Sequence, residues 1–272
     1  MVYLDREPIV ERIIHRLVRK HIAGTTMESA LDAAKELNDR NLSVSLTFLS
    51  ANATEKAKAK YITTTYSELV RRVARMGIKA GVHVGLDQLG SAIGTDFAMD
   101  NFREIWGVGN KYGVFLWLDA DGLAASELSA VPKMGGVGLV VRHDKAHEYA
   151  KIGEKVGHVK LAFRDYAPKE KNGIVKMAEA ARKGLQDLVL CEVPDGELSG
   201  ILKSKIKSDV GLEFGYGYSD KKMAAAVKRG AKVSVLVPFG KDWIKYAMNN
   251  APEGYMRFVA GRLLKEGELD DA

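Results

Sequence analysis

Cysteine is almost absent. Cys191 is the single one among 272 residues, so no disulfide can close within the chain. It lies in an apolar run, LVLCEV, where it reads as a small core hydrophobe. A chain that uses no disulfide fits a reducing compartment, and a cytoplasmic location is the expectation. No apolar run approaches the roughly 18 residues that a membrane span needs. The N-terminus carries no signal-peptide core either. Zinc-ligand spacings, RNP-like motifs, a P-loop and a GxGxxG after the first strand are all missing. Low-complexity linkers and internal repeats are missing too. The formal net charge of +6 is spread along helical segments and interleaved with acids, as in SDKKMAAAVKRG. Such runs are solvated outer faces, so nucleic acid is not an expected partner.

What is present suffices for a large core: 46% of residues are hydrophobic and 28% charged, which excludes a disordered chain. Asp5 to His21 is patterned as an amphipathic helix, with Ile9, Ile13, Leu17 and Val18 on one face and Arg12, Arg16, Arg19 and Lys20 on the other. That face suits either a plug on one end of the fold or a peripheral contact with an acidic membrane. Gly24 breaks this helix, and Thr25 or Thr26 caps the next, Met27 to Asn38. Eight short apolar runs follow, at 43–49, 79–86, 113–120, 137–142, 158–163, 188–193, 210–217 and 232–239. Segments of helical propensity separate them, several ending at a glycine such as Gly77, Gly113, Gly157 or Gly230. The third connection, DGLAASELSAVPKMGG, is weak as a helix. Alternating strands and helices of this number predict an α/β fold, a (β/α)8 barrel in one domain. Residues 1–40 would add N-terminal helices, 43–250 the barrel, and 251–272 a C-terminal helix and acidic tail.

Barrels of this kind carry their chemistry at the C-terminal ends of strands. Those positions hold Thr47 and Ser50, His83 and Asp87, Asp119 and Asp121, then Arg142 and His143. They continue with Arg164, Asp165 and Tyr166, then Glu192, Tyr216 and Tyr218, and finally Lys241 to Tyr246. Asp119 and Asp121 suit either a metal or a turn cap, and no metal site is expected. Arg142 and Arg164 suit either an anion or ion pairs with Asp119 or Glu192.

One stretch is more specific. VPFGKDWIKYAMNN, from Val237 to Asn250, resembles the last strand and helix of the proline dehydrogenases, VP(Y/F)G(R/K)DW followed by Y-x-x-R-R. HIAGTTMESALDAAKEL, GVFLWLDAD, HVKLAFRDYAPKE and RFVAGRLLKEGEL are similar to further blocks of that family. The resemblance implies a barrel that uses FAD to oxidise proline to pyrroline-5-carboxylate, passing electrons to a quinone or an acceptor protein. It matches Asp119 to the family's strand-three acid and Tyr246 to the aromatic on the last helix. Other positions depart. Asn249 and Asn250 stand where two arginines grip the proline carboxylate, and Leu236 replaces a substrate-side tyrosine. Phe163 replaces a flavin-contacting lysine, Lys160 an arginine and Arg142 a glutamine. His83 is nearest to the missing strand-two lysine, and the Thr-His pair after strand six is absent from LCEVPDG.

The expectation is therefore a divergent proline dehydrogenase-like flavoenzyme. Asp119, Tyr246 and His83 are its expected reacting centre. Arg142, Lys160, Arg164 and Tyr216 are expected at FAD, and Asn249, Asn250 and Arg257 at the amino-acid substrate. Two alternatives stand beside it. One is a barrel of the same ancestry that has lost flavin and binds another small ligand or a partner subunit. The other is a phosphate-binding barrel enzyme using Arg142, Arg164 and Lys241.

Overall fold

A computed structural model describes residues 21–119, 125–128, 130–163 and 173–240. The expected helices at Asp5–His21, save its last residue, and at Glu253–Lys265 lie outside these residues, as does the stretch Lys241–Asn250. The chain enters through α1 (Met27–Asp39), whose N-cap is Thr26 and not Thr25: the Thr26 hydroxyl accepts the Ser29 amide at 3.2 Å. Ala30, Leu31, Ala34 and Leu37 form its buried face. Then come β1 (Ser43–Phe48), α2 (Lys56–Arg75), β2 (Ala80–Gly85), α3 (Thr95–Tyr112) and β3 (Leu116–Asp119). They are followed by β4 (Val137–Arg142), α4 (Ala146–Val156), β5 (His158–Ala162), α5 (Gly173–Ala181) and β6 (Asp187–Cys191). The last described elements are α6 (Asp195–Lys203), β7 (Gly211–Gly215), α7 (Asp220–Lys228) and β8 (Lys232–Phe239).

Every strand pairs in parallel with its sequence neighbour, and β1 also pairs with β8, so the sheet closes into an eight-stranded barrel. The helices α3 and α4 end as their sequence predicts, on Gly113 and Gly157 in the left-handed conformation, at φ 70° and 79°. The weak third connection contains no α-helix among its described residues. It carries only the 3-10 turns Ala125–Leu128 and Val131–Lys133.

Strand residues alternate between two environments. Val44, Leu46, Val82, Val84, Leu116 and Leu118 point outward, where they meet the helices in the main core. The inward set is different in kind. It includes Ser45, Thr47, Gly81, His83, Trp117, Lys160 and Glu213, too polar and too small to fill the barrel with layers of branched side chains. Gly138 is required there, because a Cβ on it would run into the six-membered ring of Trp117. The indole thus takes the volume that neighbouring strands leave vacant.

Candidate active site at the mouth of the barrel

Two hollows remain in the barrel, one at each end. Between them lies a polar partition. Lys160 Nζ donates to Ser45 Oγ at 2.8 Å and to Glu213 Oε2, and Ser45 Oγ donates to the same Glu213 oxygen at 2.7 Å. Cys191 Sγ reaches the other Glu213 oxygen at 3.4 Å. The Lys160 ammonium also lies 4.5 Å from the centre of the Trp117 ring. The side chains of Lys160 and Glu213 are only 1% and 4% exposed, so each charge needs the other. Burial pushes the Glu213 carboxyl up, but the Lys160 charge and the bonds from Lys160 and Ser45 outweigh it, and the carboxyl ends below its ordinary range. Burial and the Glu213 charge push the Cys191 thiol well up, which makes it a poor nucleophile.

Above this floor opens a cavity of about 580 Å³ at the C-terminal ends of the strands, the face where barrels place their chemistry. His83 and Asp119 line it from adjacent strands, with His83 Nε2 3.5 Å from Asp119 Oδ2. His83 Nδ1 is buried and has no hydrogen-bond partner among the described residues. A proton on that nitrogen would be an orphaned donor, so Nε2, which faces Asp119, is the better place for the ring N–H. Asp87 joins them from the loop after β2. Burial raises its carboxyl above the ordinary range, and the Asp119 charge adds to this. The backbone N–H groups of Gln88 and Asp87 and the nearby His83 oppose the rise.

The loop carrying Asp87 is firmly held. Gln88 accepts the Tyr66 hydroxyl at 2.7 Å and donates to the Phe48 carbonyl at 3.0 Å. The Ala53 amide donates to the Asp87 carbonyl at 3.0 Å, and Asn101 Nδ2 donates to the Leu89 carbonyl at 2.9 Å. On the far rim Glu192 sits in the left-handed region at φ 55°, an unusual backbone for a side chain of its size. Arg142 lines the cavity but forks onto Asp144, at 3.1 and 2.9 Å. The hydrogen bond from Arg142 holds the Asp144 carboxyl below its ordinary range.

The structure gathers His83, Asp87, Asp119, Arg142 and Glu192 around one cavity. Lys160 lies in the floor itself, committed to Glu213 and Ser45, and lines the hollow at the other end. Tyr216 packs against the helix-side core, and it is the Tyr216 carbonyl that meets His21 Nδ1, at 3.3 Å. Arg164, Tyr246, Asn249, Asn250, Arg257, Asp121 and Lys241 lie outside the described residues. Among the described residues no group of three His, Cys, Asp or Glu side chains comes together as a metal site. Glu213, Ser45 and Gln88 are structural members of the site that the strand-end reading passes over. Glu213 and Ser45 were marked in the sequence only as polar residues at inward positions of apolar strands.

Comparison with known proteins supports the barrel fold. No family model matches the chain. Proline dehydrogenase 1 of Bacillus subtilis (strain 168) is 20% identical over 277 residues, covering 91% of this chain and 91% of its own. The protein of the same name from B. subtilis subsp. natto is 21% identical over the same shares. The chain is a divergent relative of the proline dehydrogenases. In structure it is similar to proline utilization A of Bdellovibrio bacteriovorus, with a TM-score of 0.66 and 14% identity over 86% of this chain. Proline utilization A of Bradyrhizobium japonicum gives a TM-score of 0.61 and 13% identity over 84%. The match spans about a third of those longer chains, 32% and 30%, and shows the barrel they have in common.

FAD is the cofactor that this ancestry implies, and the described lining does not fit its two phosphates. Asp87, Asp119 and Glu192 line the cavity, with Glu213 beneath them paired to Lys160, against one described guanidinium, Arg142, which is already forked onto Asp144. A pyrophosphate requires the opposite balance of charge. The lining suits a cation instead.

Proposed function

We propose that the chain is a proline dehydrogenase-like oxidoreductase whose mouth cavity receives the ammonium end of proline or a related cyclic secondary amine. The observation that carries this reading is Asp119, facing the cavity from the end of β3 with His83 beside it. The likeness of the whole chain to proline dehydrogenase 1 supports the reaction class. In this reading the ammonium docks on the Asp119 carboxylate, with the His83 ring beside it. The Lys160–Glu213 partition closes the barrel beneath the substrate and keeps that side dry, so the docking charge is weakly screened. Oxidation of the carbon next to nitrogen needs the nitrogen lone pair free, so a proton must leave first. The product is a cyclic imine, pyrroline-5-carboxylate when proline is the substrate. The two electrons leave with the hydride to an external acceptor of the quinone or acceptor-protein class.

The test is turnover of proline with an artificial electron acceptor, measured on the purified chain before and after FAD is added, together with its visible absorbance. The expected result is proline oxidation with the artificial acceptor that Asp119→Asn abolishes. A colourless protein that binds pyrrolidine but never oxidises it overturns the redox assignment. It would leave a ligand-binding barrel of the same ancestry, which the acid-rich lining also suits.

A further inference from the structure

Position 85 faces the barrel interior, two residues beyond His83 on the same strand, and it pairs in register with Asp119 on β3. It is a glycine, so no side chain projects there. The space is nevertheless filled. A Cβ built on Gly85 would run into Asp87 Oδ1, so the Asp87 carboxylate occupies the place of the missing side chain. The carboxylate is thereby set above His83 and beside Asp119, inside the cavity and not out on its loop. Gln88, Tyr66 and the Ala53 amide hold the loop in the conformation that delivers it. Nothing in the resemblance assigns Asp87 a role, yet the fold reserves an interior position for it.

We infer that Asp87, seated on Gly85, is the proton acceptor of the site, taking the proton from the substrate ammonium that Asp119 holds. This rests on the amine-oxidising reading above. In the step the N–H bond breaks, an O–H bond forms on Asp87, and the electron pair stays on nitrogen as the lone pair that oxidation requires. Two neighbouring carboxylates divide the work because their surroundings differ. Asp119 has the His83 ring beside it, with Nε2 at 3.5 Å, whereas Asp87 is buried, and burial and the Asp119 charge raise its carboxyl. The other charged groups around Asp87 leave this division intact. Arg142 is paired with Asp144 at the rim, Glu213 is neutralised by Lys160 in the floor, and Glu192 and His21 lie at the outer edge of the lining.

Two variants separate this role from a merely structural one. Asp87→Asn removes the acceptor and keeps its shape. Gly85→Ala keeps every titratable group and drives the Asp87 carboxylate out of its seat. The measurement is binding of isotope-labelled pyrrolidine to the full chain. Affinity is followed from mildly acidic to mildly alkaline pH, and the nitrogen chemical shift of the bound probe reports its protonation. Circular dichroism confirms that each variant is folded. The wild type should bind the probe as the neutral amine, with affinity falling on the acid side as Asp87 takes up its own proton. Both variants should bind it as the ammonium, at least about tenfold more weakly, a loss of about 1.4 kcal/mol, and without the acid-side fall. A neutral bound amine in both folded variants overturns the inference, as does an ammonium in the wild type. Either result leaves the amine-oxidising reading standing if Asp119→Asn still abolishes binding. If the wild type binds neither pyrrolidine nor proline, the reading itself fails and the inference with it.

Discussion

Asp87 carries a cost that can be measured apart from any catalysis. Burial and the Asp119 charge raise its carboxyl above the unfolded value, so the folded chain holds the proton more tightly than the unfolded chain. Stability from this source is fully present in acid, below the unfolded pKa, and is lost as pH rises through the folded one. Asp87→Asn should therefore raise the melting temperature at neutral pH, with the gain shrinking to nothing in acid; thermal melts at the two pH values check this. The floor behaves in the opposite sense. Glu213 is held below its ordinary range, so its contribution is present above the unfolded carboxylate pKa and is lost as pH falls through the folded value. Lys160→Met leaves the Glu213 charge buried without its partner, at a cost of about 3–5 kcal/mol. Adding Glu213→Gln should recover much of that loss, because no charge then remains to be compensated. Urea denaturation of the single and double variants reads both effects, and equal stability of the two would show that the pair carries no such coupling.

Individual strands were legible from their β-branched runs, and β4 falls where VGLVVR places it, at Val137–Arg142. Helix ends were legible because glycine accepts the left-handed conformation that terminates them, as at Gly113 and Gly157. Strand ends likewise exposed His83, Asp119 and Arg142, since parallel barrels deliver those positions to one face. The partition was not legible. Lys160 meets Glu213 across 53 residues of chain and Ser45 across 115, and nothing local in the sequence encodes a pairing through the barrel axis. The seat of Asp87 was hidden for a related reason: Gly85 has meaning only once the inward face of β2 is known. Trp117 poses the same problem one strand further on, since its indole depends on the bare backbone of Gly138 on β4. Gly138→Ala should overpack that contact and destabilise the chain by about 1–3 kcal/mol. A smaller ring in Trp117→Phe should restore much of the loss, and chemical denaturation of the two variants decides it.

For the molecule as a whole, ancestry and charge point in different directions. The fold and the 91% coverage of proline dehydrogenase 1 speak for a common origin. The mouth, however, is rich in carboxylates, and the sequence has Asn249 and Asn250 where the family places two arginines. A zwitterionic substrate brings a carboxylate that must be met by positive charge. Neutral amides supply much weaker bonds than guanidinium forks, and acids elsewhere in the lining repel that end of the ligand. At about 1.4 kcal/mol per tenfold, losing two charge-assisted bonds lowers proline affinity by a factor of hundreds. Wild-type proline oxidation should therefore be weak, and pyrrolidine, which has no carboxylate, should bind better than proline. Asn249→Arg together with Asn250→Arg should reverse that preference. Both changes are needed, because a single guanidinium holds the carboxylate on one side only and leaves it partly unmatched. Steady-state kinetics with proline and an artificial acceptor, in the presence of FAD, compare the two chains directly. Robust wild-type turnover at low proline concentration would instead mean that another cation already grips the carboxylate, and Arg257 is the first to replace by alanine.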